Sequence, residues 1–128
     1  MDWSQEYRLD MEGIKNAPEA QGVYQILQDK DYNRYKGGTR ILKIGMSKSN
    51  LRKELNNHLQ SHTVANRIKR IRNDGGIITY QYVFTTADNA EPEEKALLRQ
   101  YEEDFWDLPT LNSNRGYGRG EDNHFAKC

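Results

Sequence analysis

The chain has 128 residues, which is the size of one domain with a hydrophobic core of its own. Charged residues make up 30% of the chain and cancel to a net charge of zero. No apolar stretch approaches the roughly 18 residues of a membrane span, and the acidic, polar N-terminus is unlike a signal peptide. Cys128 is the only cysteine, so we expect neither a disulfide framework nor a zinc site and predict a reducing, cytoplasmic setting.

Positive charge is concentrated in the middle of the chain. Between Arg34 and Arg72 there are eleven Lys and Arg residues and a single acid, Glu54. This asymmetry indicates a polyanionic partner, which we expect to be DNA or else RNA. The alternative is a solvated basic face that pairs with the acidic helix predicted over residues 91–107.

Two strands are predicted in the first third of the chain. Residues 1–20 form a polar lead-in with a short helix that ends at Pro18. Residues 22–27 are β-branched and aromatic, and residues 40–45 alternate with period two, so both segments are predicted strands. The polar segment between them, residues 29–38, ends in a Gly-Gly turn signal, and we expect a long antiparallel hairpin.

A helix is predicted after the second strand, with Asn50 as its N-cap. Its apolar stripe recurs at helical spacing. The stripe consists of Leu51, Leu55, His58 and Leu59. A second helix is predicted over residues 64–73, where Lys and Arg surround the apolar positions, and a third strand over residues 77–84.

The last predicted helix is capped by Asn89, has Pro92 in its first turn and ends at Pro109. Its apolar stripe consists of Leu97, Leu98, Tyr101, Phe105 and Leu108. The order β-β-α-α-β-α predicts an α+β fold, in which helices flank a small, mainly antiparallel three-stranded sheet. We expect one domain over residues 21–112, followed by a Gly/Asn/Arg-rich tail over residues 113–128.

Three polar residues lie on apolar stripes, where a charge is costly unless it is paired or lines a cleft. His58 shares the stripe of the first helix, and Glu94 lies one turn before that of the last helix. Lys43 lies in a strand, in phase with Ile41 and Gly45. Each has an ordinary explanation when taken alone: a core-edge histidine, an acid in a first helical turn, and a solvent-facing lysine.

Four motifs follow one another along most of the chain. They are GVY at residues 22–24, KIG at residues 43–45, the helix at residues 46–59, and AEPEEKALL followed by LPTLN within residues 90–112. In this order they resemble the paired strand motifs, the helix and the late glutamate, proline and asparagine of the GIY-YIG nuclease family. The resemblance implies an endonuclease that hydrolyses phosphodiester bonds in DNA, with Mg²⁺ or Mn²⁺ as its cofactor.

The resemblance also implies roles for individual residues. Tyr24, in the first motif, would lie near the attacking water as the general base or as the residue that orients it, if cations depress its pKa. His58 would position or transfer a proton. Glu94 would hold the cation as its one protein carboxylate, as Mg²⁺ commonly binds beside a phosphate. Asn112 would support the site, with Asn114 as the alternative.

Two positions depart from the family pattern. Lys43 replaces the usual tyrosine of the second motif, where it would lower the pKa of Tyr24 or of the water. Glu54 stands where the family helix carries an arginine that contacts the scissile phosphate, and a carboxylate there would repel the phosphate. The nearby Arg52 lies roughly 200° around the helix from that position and faces elsewhere.

Three explanations of Glu54 stay open. In the first, the helix is shifted so that Arg52 reaches the site. In the second, the protein is a nucleic-acid-binding module that has lost cleavage. In the third, Glu54 is an inactivating substitution at the arginine position. We expect a nuclease that is impaired in this chain, so that Glu54→Arg raises cleavage.

The metal ligand has alternatives too: Glu91 and Glu93 are out of phase with the apolar stripe, and Gln100 would leave the site without a carboxylate.

Phosphate contacts are predicted for cations of the middle segment. These are Lys48, Arg52, Lys53, Arg67, Lys69 and Arg70. The tail at residues 115–125 mixes Arg, Gly and Tyr, and either contacts nucleic acid or is a flexible terminus. We expect the chain to act by itself, including as a homodimer, or with a partner that targets it. A module whose basic face binds an acidic protein is a further alternative.

Overall fold

The computed structural model describes residues 2–60 and 63–112. The predictions for Asn114, Cys128 and the tail at residues 115–125 lie outside the described residues. In chain order the elements are β1 (Tyr7–Arg8), a short 3-10 helix (Gly13–Asn16), β2 (Gly22–Arg34), β3 (Gly37–Ser47), α1 (Leu51–Gln60), α2 (Thr63–Asn73), β4 (Ile78–Phe84) and α3 (Ala87–Phe105). Within the described ranges, no helix is both long enough and apolar enough to cross a membrane.

The fold is α+β, as predicted, but the antiparallel sheet has four strands instead of three, in the order β1-β4-β2-β3. The additional strand is β1, whose Tyr7 pairs with Tyr80 of β4. A strand of two residues shows no alternation that a sequence pattern can detect. The residues that follow β1 also enter the main core, since Leu9, Ile14 and Ala17 are buried there.

The hairpin between β2 and β3 has longer strands and a shorter turn than predicted. The two strands continue through the polar segment until Arg34 pairs with Gly37, so that only Tyr35 and Lys36 form the turn. Gly37 has a φ of 92°, a left-handed conformation that glycine adopts without a steric penalty. Polar side chains are tolerated in this outer part of the hairpin because most of them are exposed.

A bulge in β3 sets the direction of its side chains. Lys43 and Ile41 pair with consecutive residues of β2, which leaves Leu42 as the extra residue between them. Lys43 therefore lies on the same face of the sheet as Tyr24, whereas Ile41 packs in the cluster of Leu98 on the other face. The predicted common phase of Lys43 and Ile41 is wrong because of this bulge.

The main core lies between one face of the sheet and the helices α1 and α2. It contains Tyr24 and Tyr80 from the strands together with Leu51, Leu55 and Ile68 from the two helices. The start of α1 directly after Asn50 is confirmed, although the resemblance placed the helix from residue 46, and the predicted bounds of α2 are confirmed within one residue. The predicted cap of α1 is confirmed as well, since the side-chain oxygen of Asn50 accepts a hydrogen bond of 3.0 Å from the amide of Lys53.

Helix α3 packs against β3 through Leu98 and Tyr101, but both of its predicted ends are wrong. Its N-cap is Thr86, whose side chain accepts a hydrogen bond from the amide of Asn89. Pro92 consequently lies in the second turn instead of the first. The helix ends at Phe105 because the next residue, Trp106, has a left-handed φ of 61° and closes the last turn onto Glu102.

Candidate functional site

Tyr24 is buried, and its ring extends across the neighbouring strand β3. Tyr24 and Gly45 are paired across the two strands, and a Cβ on Gly45 would lie 2.3 Å from the Tyr24 hydroxyl oxygen. No side chain fits in that space, so glycine is required where the phenol passes over the strand. The glycine of KIG and the tyrosine of GVY therefore form one structural unit.

Helix α1 supplies two partners for the Tyr24 hydroxyl. The hydroxyl donates a hydrogen bond of 3.1 Å to Oε2 of Glu54 and lies 2.7 Å from Nε2 of His58. Glu54 and His58 are four residues apart, so they lie on one side of the helix, with 3.6 Å between Oε2 and Nε2. The buried Leu51 and Leu55 set this orientation because they direct the same side of α1 towards the sheet.

The hydrogens of this triad can be assigned from its geometry. Tyr24 has one hydroxyl hydrogen, and the Glu54 carboxylate can only accept a hydrogen bond. With the Tyr24 hydrogen directed to Glu54, the remaining short contact is made by an N–H of His58 that donates to the Tyr24 oxygen. The reverse assignment would leave the Tyr24 oxygen facing a carboxylate oxygen at 3.1 Å with no hydrogen between them.

The environment keeps Tyr24 protonated and Glu54 ionised. Burial, and then the charge of Glu54, raise the pKa of Tyr24 well above its ordinary value. The adjacent His58 imidazole, with smaller effects of the Tyr24 hydroxyl and Lys43, lowers the pKa of Glu54. The sequence-based hypothesis that cations depress the pKa of Tyr24 is therefore opposite in direction to what these neighbours do.

Lys43 and Glu94 complete the polar surroundings of Tyr24, and both are half-buried. Burial lowers the pKa of Lys43, and the negative charges of Glu54 and Glu94 oppose this shift. Burial raises the pKa of Glu94, with further contributions from Glu91 and Glu54, and Lys43 opposes it. The strand β3 thus brings one cation into the field of carboxylates from two different helices.

The surroundings of Glu94 suit a cation that keeps several water ligands better than one that is held by protein ligands alone. In residues 2–60 and 63–112, no three His, Cys, Asp or Glu side chains converge as a metal-binding group. Mg²⁺ does not need such a group, since it commonly keeps several waters and takes one or two carboxylates. Burial and two acidic neighbours disfavour the negative charge of Glu94, and a divalent cation would offset both effects.

The alternative metal ligands make contacts elsewhere. Glu91 forms ion pairs of 3.2 Å with Lys48 and with Lys95. Gln100 is exposed and donates a hydrogen bond of 3.0 Å to Asp104, within the same helix. Among the α3 carboxylates, Glu94 is the one whose charge acts on both Lys43 and Tyr24.

The side chain of Asn112 forms hydrogen bonds with the backbone of strand β3. The Asn112 side-chain oxygen accepts a hydrogen bond of 2.9 Å from the amide of Ile44, and its side-chain nitrogen donates one of 2.8 Å to the carbonyl of Ile44. The amide of Leu111 also donates to the carbonyl of Leu42, at 2.8 Å. These bonds hold β3 on both sides of Lys43, so Asn112 supports the site without touching the Tyr24 hydroxyl.

Arg52 does not reach the site. Its guanidinium donates hydrogen bonds to the carbonyls of Ala17 at 2.8 Å and Lys15 at 3.2 Å, and it pairs with Glu19 at 2.7 Å. These contacts fix α1 to the segment that precedes β2. The explanation in which α1 is shifted so that Arg52 replaces Glu54 at the site is therefore wrong.

Two of the other cations that are predicted to contact phosphate also bond to other parts of the protein. Lys48 pairs with Glu91, and Arg67 donates a hydrogen bond of 3.2 Å to the carbonyl of Thr110. All five of these cations are exposed, including the remaining three, Lys53, Lys69 and Arg70. Lys69 and Arg70 are adjacent residues of α2, so this helix carries exposed positive charge.

The contact of Glu54 with Tyr24 is not predicted by the sequence, although one signal points to it. Glu54 precedes His58 by four residues, the spacing of neighbours on one side of a helix.

In comparisons with family models, curated proteins and solved structures, no match to this chain was found. The motifs and the geometry of the triad therefore carry the functional inference.

Proposed function

We propose that this chain is a divalent-metal-dependent endonuclease of the GIY-YIG type, which hydrolyses phosphodiester bonds in DNA. The observation that carries the proposal is the position of the Tyr24 hydroxyl. It lies 2.7 Å from His58 and 3.1 Å from Glu54, on the strand pair that also carries Lys43. A hydroxyl in contact with an imidazole and a carboxylate is a combination that acid–base catalysis uses.

The proposed roles follow from the charges of the remaining residues. Glu94 would hold Mg²⁺ or Mn²⁺, which when bound polarises a phosphoryl oxygen and stabilises the leaving oxygen. Lys43 interacts electrostatically with this carboxylate and would stabilise negative charge that develops on the phosphate. The exposed Lys69 and Arg70 of α2 contact the backbone phosphates, which position DNA but carry no sequence information.

Cleavage of supercoiled plasmid tests this proposal. We expect nicked or linear product with Mg²⁺ or Mn²⁺ and none with EDTA, because the reaction needs the cation. Tyr24→Phe and Glu94→Gln should each reduce cleavage by at least about 100-fold, the usual contribution of a proton-transfer group or an electrostatic contact. If both variants cleave as the natural chain does, the activity does not arise at this site.

A non-catalytic nucleic-acid-binding module on the same fold is the second candidate. It is favoured by Glu54, whose negative charge lies at the position of the family arginine and would repel a phosphate. Such a module should bind DNA in EDTA as well as in Mg²⁺ and leave it uncut. Binding with no cleavage under any metal condition would support this candidate and contradict the first.

A further inference from the structure

Helix α2 presents apolar residues to the core and a different set of residue types to solvent. Its inner face contains Val64, Ala65 and Ile68, which are buried. Its outer face consists of exposed asparagine, lysine and arginine side chains. These are Asn66, Arg67, Lys69, Arg70 and Asn73. The helix contains no acidic residue, so the outer face is positively charged.

The two asparagines form the ridge of this outer face. At roughly 100° per residue, Asn66 and Asn73 point within roughly 20° of the same direction, nearly opposite the buried Ile68. Lys69 lies roughly 50° to one side of the ridge and Arg70 roughly 50° to the other. The outer face therefore has amide groups along its centre and a cation on each flank.

This order of chemical groups matches the major groove of double-stranded DNA. The groove has base edges along its floor and a phosphate backbone on each side, and it admits an α-helix. An asparagine side chain can bond to the N6 and N7 atoms of adenine together, whereas lysine and arginine commonly contact phosphates. In the groove, each type of side chain on the outer face would meet the group that it binds best.

We propose that α2 lies in the major groove of double-stranded DNA and that Asn66 and Asn73 read bases there, which gives the protein a sequence preference. This inference rests on the DNA binding in the proposed function and deepens it. Lys69 and Arg70 position the DNA, and the asparagines specify the sequence. The partner is DNA and not double-stranded RNA, whose major groove is too deep and narrow for side chains to read.

The spacing of the two asparagines defines the recognised sequence. Asn66 and Asn73 are seven residues apart, which is roughly 10.5 Å along a helix. Base pairs are stacked roughly 3.4 Å apart, so this length spans about three base pairs. Because asparagine favours adenine, we expect a site with two A·T pairs that are about three base pairs apart.

The proposed reading helix packs against the helix that carries Glu54 and His58. Leu55 of α1 and Ile68 of α2 belong to the same buried core. The core therefore holds α2 at a fixed position relative to the candidate site. As a result, the cut should fall at a fixed distance from the recognised bases.

Selection from a library of random double-stranded DNA tests the inference, with the unsubstituted chain in Ca²⁺ so that binding is measured without cleavage. We expect an enriched site that contains the two A·T pairs. Asn66→Ala and Asn73→Ala should each lose the preference at one of these pairs. Each variant should bind the selected site about 5- to 150-fold more weakly, while its affinity for unrelated DNA stays the same.

Three controls separate base reading from charge, from general surface effects and from folding. Lys69→Ala should weaken binding to all sequences alike, because a phosphate contact is independent of sequence. Asn33→Ala removes an exposed amide of the outer hairpin and should change neither the selected site nor the affinity. Both α2 asparagines are exposed, so Asn66→Ala and Asn73→Ala should unfold within about 2 °C of the unsubstituted chain.

The outcomes separate this inference from the proposed function. If the chain cleaves plasmid but selects no sequence, or if the selected site survives both asparagine substitutions, α2 does not read bases and the nuclease proposal stands. Equal affinity for double-stranded RNA or single-stranded DNA also contradicts reading in the groove. So do cuts in Mg²⁺ that vary in distance from the selected site.

The remaining outcomes concern a chain that does not cleave. A selected site that depends on both asparagines, in DNA that is never cut, supports base reading by α2 and contradicts the nuclease. If the chain binds no DNA, or binds only an acidic protein, both proposals fail.

Discussion

The hydroxyl oxygen of Tyr24 occupies the space in which a Cβ of residue 45 would lie, 2.3 Å from that position. The ring carbon that bears the hydroxyl would be only 2.4 Å away. Gly45 therefore defines where the Tyr24 oxygen sits, and hence its distances to Glu54 and His58. Two short motifs that lie 21 residues apart in the sequence act as one element of the site.

Gly45→Ala should damage both stability and cleavage. The added methyl group meets a buried ring that cannot move without disturbing the core, and such overpacking costs about 1–3 kcal/mol. Thermal unfolding monitored by circular dichroism measures this loss. Gly38→Ala is the control, since its Cβ would meet the nearest atom, on Asp31, at 3.4 Å. Equal stability of the two variants would contradict the close packing of Tyr24 over Gly45.

Glu94→Gln should stabilise the metal-free protein at neutral pH while it abolishes cleavage. The pKa of Glu94 is raised in the folded state, so its ionisation opposes folding as the pH rises through that pKa. A neutral amide removes this opposition. We expect a higher Tm in EDTA, by roughly 3–5 °C for each kcal/mol gained at this chain length. An unchanged or lower Tm would contradict the burial of an unfavourable charge.

The neighbouring Glu93 provides the control for that variant. Glu93→Gln removes the same charge one residue away from Glu94, and we expect no change in cleavage. Since protons compete with the cation for a carboxylate whose pKa is raised, the Mg²⁺ concentration needed by the natural chain should increase as the pH is lowered from 7 to 5. A pH-independent Mg²⁺ requirement would argue against Glu94 as the ligand.

Glu54→Gln should reduce stability in a pH-dependent manner. The pKa of Glu54 is lowered in the folded state, so its contribution is present above the unfolded pKa, near 4.5, and is lost as the pH falls through the folded value. Because Glu54 is partly exposed, we expect about 1 kcal/mol or less at pH 7. Urea unfolding at a series of pH values from 7 downwards measures the difference, which should shrink as the pH falls below the unfolded pKa. A difference that does not change with pH would not come from the carboxylate charge.

Arg52 and Lys69 should respond oppositely to substitution by alanine. Arg52→Ala removes hydrogen bonds to two carbonyls and one carboxylate, and we expect a loss of about 1–2 kcal/mol in stability with DNA affinity nearly unchanged. Lys69→Ala should leave stability unchanged and lower the slope of log affinity against log salt by about 0.9. Salt-dependent binding titrations separate the two. A full loss of binding in Arg52→Ala with normal stability would contradict its structural role.

Much of the fold can be predicted from local patterns in the sequence. Some elements depend on residues that are neighbours in the sequence, so the pattern of residue types predicts them. These are the inner parts of β2 and β3, the start of α1, the bounds of α2 and the Asn50 cap. The pairing of β1 and the bulge at Leu42 depend on contacts between distant segments. The sequence does not predict the cap at Thr86, because Thr86 and Asn89 are both suitable capping residues and only the helix geometry separates them.

The site is less accessible to sequence patterns than the fold. Burial at helical spacing identifies His58 and Glu94 as unusual, but it does not show that they approach Tyr24, which lies 34 and 70 residues before them. The resemblance to a nuclease family grouped these residues. The direct bond between Tyr24 and Glu54 could not follow from that resemblance, because the family carries an arginine at this position.

Asn112 has a consequence for the behaviour of the protein in concentrated solution. β3 is the outermost strand of the sheet, and an uncovered outer strand is a template onto which another polypeptide can add. The Asn112 amide takes up both hydrogen-bonding groups of Ile44, and Leu111 takes up the carbonyl of Leu42. The segment that follows α3 thereby closes this part of the edge and protects the protein from aggregation by strand addition.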